Sequence, residues 1–188
     1  MGFTIEDGTG NGYTAKVNSE NQLTTLAITQ SIEHHVNKQE GSAYHALFAV
    51  NPDGADDCIF YLKNTDEKII IIEGVTWQTS AAEEVYYKIG ETGTAVKTSG
   101  SDITPANLNA GSGKLASVLC YSNVSDGAVD ITGLSGGSVV EKLWLTNTAS
   151  SHFNLEQDII IPKNQTFSIY CVGGDTLLRG TVVFNFHS

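Results

Sequence analysis

Cationic side chains are scarce in this chain: 10 lysines and arginines stand against 21 aspartates and glutamates, a formal charge of −11 over 188 residues. So acidic a surface repels phosphate backbones and anionic lipid and lacks the basic footprint of nucleic-acid binders. Neither nucleic acid nor a membrane is expected as a partner. Cysteine is also rare. Cys58, Cys120 and Cys171 lie far apart, form no C-x-x-C pair and sit in apolar, strand-like runs, so buried reduced thiols are expected, with synthesis in a reducing compartment. No apolar stretch approaches the roughly 20 residues of a membrane span, and residues 1–12 carry no basic region followed by an apolar one. The chain therefore reads as neither membrane-spanning nor signal-directed. Glu6 stands where a myristoylation pattern prefers Ser or Thr.

What is present suffices for one core. Apolar residues make up 40% of the chain and charged residues 16%, a balance that supports folding without metal or disulfide staples. Residues 1–43 differ from the rest: a glycine-rich start, then polar text with sparse apolar residues, including Val17, Leu23, Leu26 and Ile28. Their β-branched neighbours favour extended structure over helix, so residues 1–43 read as an arm and residues 44–188 as the folded domain.

From Tyr44 onward the apolar period is two. Tyr44, Ala46, Phe48 and Val50 share one face, and Cys58, Phe60 and Leu62 follow the turn text Asn51-Pro52-Asp53-Gly54. The run Ile69 to Ile72 is apolar and β-branched enough to require cover on both faces, as a central sandwich strand has. Further strands are predicted around residues 84–89, 117–121, 139–146, 158–161, 167–172 and 181–187. Turns are predicted at Asp126-Gly127, Gly136-Gly137, Pro162-Lys163-Asn164 and Gly173-Gly174-Asp175. This spacing, with no helical pattern between strands, predicts an all-β fold, an antiparallel β-sandwich of the jelly-roll or a related kind. Residues 91–114 read as a long Gly, Thr, Ser and Asn-rich connection and as a candidate contact surface.

The motifs that carry chemistry are weak. Asp7-Gly8-Thr9-Gly10-Asn11-Gly12 alternates glycines but neither follows a strand nor opens a helix, as a phosphate cradle requires. Asp53, Asp56 and Asp57 crowd one turn without EF-hand spacing or its closing Glu. His34, His35, His45, His152 and His187 show no zinc-ligand spacing, and adjacent histidines on a strand face opposite ways. Gly133-Leu134-Ser135-Gly136-Gly137 falls one residue short of a nucleophile elbow and reads as a turn. Glu83-Glu84 and Asp56-Asp57 are paired acids of the kind glycosidases use, and such pairs lie on almost any acidic surface. Asn123-Val124-Ser125 and Asn164-Gln165-Thr166 match the glycosylation pattern, which requires secretion. Trp77, Trp144, Tyr86, Tyr87, Tyr121 and Tyr170 would stack on sugars if exposed, but their strand positions favour core or subunit interface. No enzyme activity, catalytic residue, cofactor or metal ligand is expected.

The order of short motifs is informative. Ala15-Lys16-Val17-Asn18-Ser19-Glu20-Asn21-Gln22-Leu23 is followed by Gly41-Ser42-Ala43-Tyr44 and then strands. Near the end, Ile161-Pro162-Lys163-Asn164-Gln165 leads into Phe167-Ser168-Ile169-Tyr170, a glycine turn and a last strand closing on Phe184-Asn185-Phe186. Over most of the chain this succession resembles tailed-bacteriophage virion proteins, in which A-x-V-x-x-x-N-x-L and then G-x-A-[FY] precede a jelly-roll-like domain. The resemblance implies a capsid decoration or cement protein on the outer surface of the shell. It would bind the major capsid protein and itself, as a homotrimer. Its arm, anchored by Val17, Leu23, Leu26 and Ile28, would add a strand to a neighbouring sheet edge, and repetition over the shell would multiply a weak contact. The alternative is a phage tail, fibre or baseplate component that binds a host-surface glycan.

Overall fold

The computed structural model describes residues 16–17, 23–24, 37, 40–52, 56–97, 101–122, 131–146, 151–174 and 176–187, and only the backbone at 16–17, 23–24 and 151–158. Two compact units divide the chain, Met1–Ser31 and Ile32–Ser188. In the first, β1 (Lys16–Val17) pairs antiparallel with β2 (Leu23–Thr24), Val17 opposite Leu23.

The second unit is built of antiparallel strands, and no α-helix occurs among its described residues. In chain order these are β3 (Ala43–Val50), β4 (Asp57–Asn64), β5 (Ile69–Thr79), β6 (Glu83–Lys97), β7 (Ser101–Asp102) and β8 (Ala106–Asn107). There follow β9 (Val118–Ser122), β10 (Ile131–Leu145), β11 (Ser151–Ile161), β12 (Thr166–Cys171) and β13 (Leu178–His187). One sheet has the order β10-β6-β12-β4-β9-β7 and the other β11-β5-β13-β3-β8. The long strands pair first with last: β3 with β13, β4 with β12, β5 with β11 and β6 with β10.

The alternation read from the sequence sets the inner faces. Tyr44, Ala46, Phe48 and Val50 of β3 meet Phe60 and Leu62 of β4, Phe167 and Ile169 of β12, and Val182, Phe184 and Phe186 of β13 in one core. Each valine, leucine, isoleucine or phenylalanine among them removed from water contributes about 1.5–3 kcal/mol. Trp77 and Tyr87, one from each sheet, join across this core: the indole Nε1 donates to the phenol oxygen at 2.8 Å. Gly180 faces Phe48, where a Cβ would lie 2.4 Å from the ring's Cζ, so only glycine fits beneath that ring.

Three sequence expectations change. Gly133 to Gly137 is not a turn: it lies inside β10, paired with Glu91 to Gly93 of β6, and the strand itself begins at Ile131. Residues 91–114 are likewise not strandless, since β6 runs on to Lys97 and β7 and β8 follow. The isoleucine run is fully buried on one face only. Ile70 and Ile72 are in the core, while Ile69 and Ile71 are half-buried on the outer face.

Candidate functional site

The outer face of the six-stranded sheet is partly covered by its own longest hairpin. Glycines at positive φ punctuate β6 and β10, Gly90 at 72°, Gly93 at 101°, Gly133 at 77°, Gly136 at 69° and Gly137 at 77°. Side chains other than glycine rarely adopt that backbone, and its clustering within paired strands kinks the hairpin. The far half of the hairpin thereby reaches β4, although β6 and β12 lie between β10 and β4 in the sheet. Ile131, Ala95 and Leu134 pack there on Cys58 and Tyr61, a second apolar layer outside the main core.

Tyrosines and lysines line this layer. Tyr86 stacks on Tyr170 with ring centres 5.1 Å apart, and Tyr61 on Tyr121 at 5.8 Å. Lys88, Lys97 and Lys142 stand over Tyr170, Tyr121 and Tyr86 at 4.9, 4.9 and 5.8 Å, within cation–π range. Glu91 is buried at the kink. One of its oxygens accepts from the Tyr170 hydroxyl at 2.7 Å and from Lys88 Nζ at 2.9 Å. Burial raises the Tyr170 phenol far above its ordinary value, helped by Cys58 and Glu91 beside it, and pushes Tyr61 up to about 12. The cluster is a latch that holds the folded hairpin.

Among the described residues the acidic and histidine candidates do not converge. Glu83 and Glu84, as successive strand residues, point to opposite faces. Glu83 is buried, and one of its oxygens accepts from the backbone N–H of Gly173 at 2.8 Å and of Glu84 at 2.9 Å; Glu84 pairs with Lys142 at 3.4 Å on the outer face. Asp56 accepts from the Tyr86 hydroxyl at 3.2 Å, Asp57 is buried, and Asp53 lies outside the described residues. His45 is half-buried on the outer face of the five-stranded sheet, and burial lowers its pKa. His34, His35 and the glycines of 7–12 lie outside the described residues. Among the described residues no three His, Cys, Asp or Glu side chains gather to hold a metal ion. All three cysteines are buried free thiols, and burial raises Cys171, next to Glu83, to about 12.

Of the arm anchors, Val17 and Leu23 fall on the paired strands β1 and β2, while Leu26 and Ile28 lie outside the described residues. The segment after β7 braces the approach to β3. Asn109 Nδ2 donates to the Asn37 carbonyl at 3.0 Å, Asn107 Nδ2 to that of Gly41 at 2.9 Å, and Leu108 N–H to that of Ala43 at 2.9 Å.

Among the exposed large apolar side chains of the described residues, which also include Val96, Leu108, Leu115, Leu119 and Leu177, two groups lie on the sheets' own edge and face. The first is β10, the end strand of the six-stranded sheet, where Val139, Val140 and Trp144 are 49%, 41% and 66% exposed. The second is the outer face of the five-stranded sheet. There Leu47 and Ile160 are 62% and 51% exposed, and Leu47, Thr76, Gln78, Thr181 and Arg179 line an open groove of about 470 Å³. Of the aromatics singled out from the sequence, Trp77 and Tyr87 are core, Tyr86, Tyr121 and Tyr170 are half-buried in the stacked layer, and Trp144 is exposed. Sequence reasoning missed Glu91 and Arg179; the latter is the sole arginine of the chain, a signal visible in composition. Comparison with protein-family models, curated proteins and solved structures finds no match.

Proposed function

We propose that the chain is a structural virion protein, a capsid decoration or cement protein that binds and stabilises the outer shell of a tailed bacteriophage. It does so through contacts with the major capsid protein and with copies of itself. The structural observation that supports this reading is the pair of separate exposed apolar surfaces, one on a sheet edge and one on the opposite sheet's outer face. Exposed apolar patches mark interaction sites, and a shell component must meet neighbours on more than one side. The first-with-last strand pairing reads as a jelly roll, a hairpin rolled into two sheets, in keeping with the resemblance. A charge of −11 suits a position outside the shell, away from packaged DNA.

A second reading, a tail or fibre component that binds a host glycan, draws on Trp144. This side chain stands on the outer face next to Lys142 and Glu84, near Tyr86. Cryo-electron microscopy of the particles that carry the protein separates the two. The decoration reading expects sandwich-shaped density repeated over the exterior of the head. Density at the tail tip, with attachment of the isolated protein to host cells, would support the second reading, and absence from the particle would remove both.

A further inference from the structure

We infer that β10 is the seam of a two-fold pair, joining the six-stranded sheets of two copies of this chain edge to edge around Leu143. This inference rests on the edge alone and not on the shell reading.

Three observations carry it. First, the edge is open. Ser138 to Lys142 and Trp144 are exposed, and β10 has a strand neighbour on one side only among the described residues. Such an edge offers a row of main-chain donors and acceptors for another strand, and apolar side chains add to its pull. Secondly, the edge is electrically neutral in a chain of charge −11: between Ile131 and Leu145 the only charged residues are Glu141 and Lys142, adjacent and of opposite sign. Two copies that repel over most of their surface can therefore approach here.

Thirdly, the registers are few. A two-fold axis perpendicular to a continued antiparallel sheet keeps each residue on its own face, so residues that meet across the seam must share a face. In β10, Leu143 and Glu141 stand opposite the core residues Val85 and Tyr87, whereas Lys142 and Trp144 stand opposite Tyr86 and Glu84 on the outer face. An axis on Glu141 opposes two carboxylates, and one on Lys142 opposes two ammonium groups; both are disfavoured directly across a ladder. Axes further towards the start of the strand bring in the irregularity between Val139 and Glu141, then Gly136 and Gly137. An axis on Trp144 lies one residue from the strand end at Leu145 and leaves little ladder.

With the axis on Leu143, Lys142 of each copy meets Trp144 of the other, twice, on the outer face. A lysine against an indole is an attractive pair, and Lys142 already lies over the Tyr86 ring while pairing with Glu84. The exposed Trp144 would become the central anchor that an interface aromatic commonly is. A seam of this symmetry makes pairs, where the resemblance implies trimers.

The register gives a test with the full-length protein. Under oxidation, K142C and W144C as single variants should stay uncrosslinked, because neither residue faces its own copy. The double variant K142C/W144C should give a covalent dimer, and the native thiols, all buried, stay out of the reaction. In sedimentation the unmodified chain should run as a dimer, and W144K should weaken it by about tenfold or more, as loss of an anchoring aromatic does. A monomer at every concentration, or a mass unchanged by W144K, would overturn the seam, the latter being the outcome if Trp144 serves a glycan. A disulfide formed by K142C alone would overturn the register.

Discussion

Trp77 and Tyr87 show what a polar pair does in the middle of a sandwich. Each ring is buried, and the indole N–H has the phenol oxygen as partner at 2.8 Å, so a donor that would otherwise be stranded ties one sheet to the other. Tyr87→Phe keeps the ring and removes the acceptor. It should cost about 1–3 kcal/mol in urea denaturation, the penalty for leaving a buried donor unpaired. Tyr61 is one of the groups that contribute to the alkaline limit. Its phenol is pushed up to about 12 by burial, so the fold holds that proton more tightly than the unfolded chain, whose tyrosines titrate near ~10. The corresponding stability is fully present below pH ~10 and is lost as pH rises through about 12. Thermal unfolding followed from pH 9 to 12 should show Tm falling above pH ~10, and Tyr61→Phe should reduce that slope.

At the scale of the element, the kinked hairpin of β6 and β10 is the feature that sequence reading lost. Strands such as β3 and β13 were legible because one apolar face alternates with a more polar one, as in Tyr44, Ala46, Phe48 and Val50. In the hairpin, Gly133-Leu134-Ser135-Gly136-Gly137 has the composition of a turn, and composition cannot separate a turn from paired strands bent by glycines at positive φ. The exposure of Trp144 was hidden for a different reason: it follows from β10 being an edge strand, a fact of topology and not of local pattern. The kink itself is testable. A Cβ at Gly137, at φ 77°, would lie 2.6 Å from Glu91 Cγ and 2.9 Å from the Ile89 carbonyl oxygen, so Gly137→Ala should loosen the latch. Labelling of Cys58, which lies under the hairpin, should then accelerate while the core thiols Cys120 and Cys171 stay protected. Gly113→Ala, where a Cβ meets nothing within 4 Å, should change neither. Equal labelling of all three thiols would mean that the whole sandwich opened and not the hairpin alone.

For the whole molecule, the sandwich closes a main core with a second apolar layer under the hairpin, and its exposed apolar side chains include groups on an edge and on a face. The acidic pairs that hinted at hydrolysis diverge, Glu83 inward to brace the loop at Gly173 and Glu84 outward to Lys142. The sandwich is preceded in the chain by the compact unit of residues 1–31, in which Val17 and Leu23 pair. On the proposed reading, an arm spanning residues 1–43 carries attachment and the sandwich carries bulk and self-contact. The most direct measurement is co-sedimentation of the purified full-length chain with shells stripped of it, beside a variant lacking the first compact unit, residues 1–31. Saturable binding at a fixed number of copies per shell, raised heat resistance of the shells and loss of both in the truncated but folded variant are the expected result. Shells that take up no protein, or take up the truncated chain equally well, would contradict it.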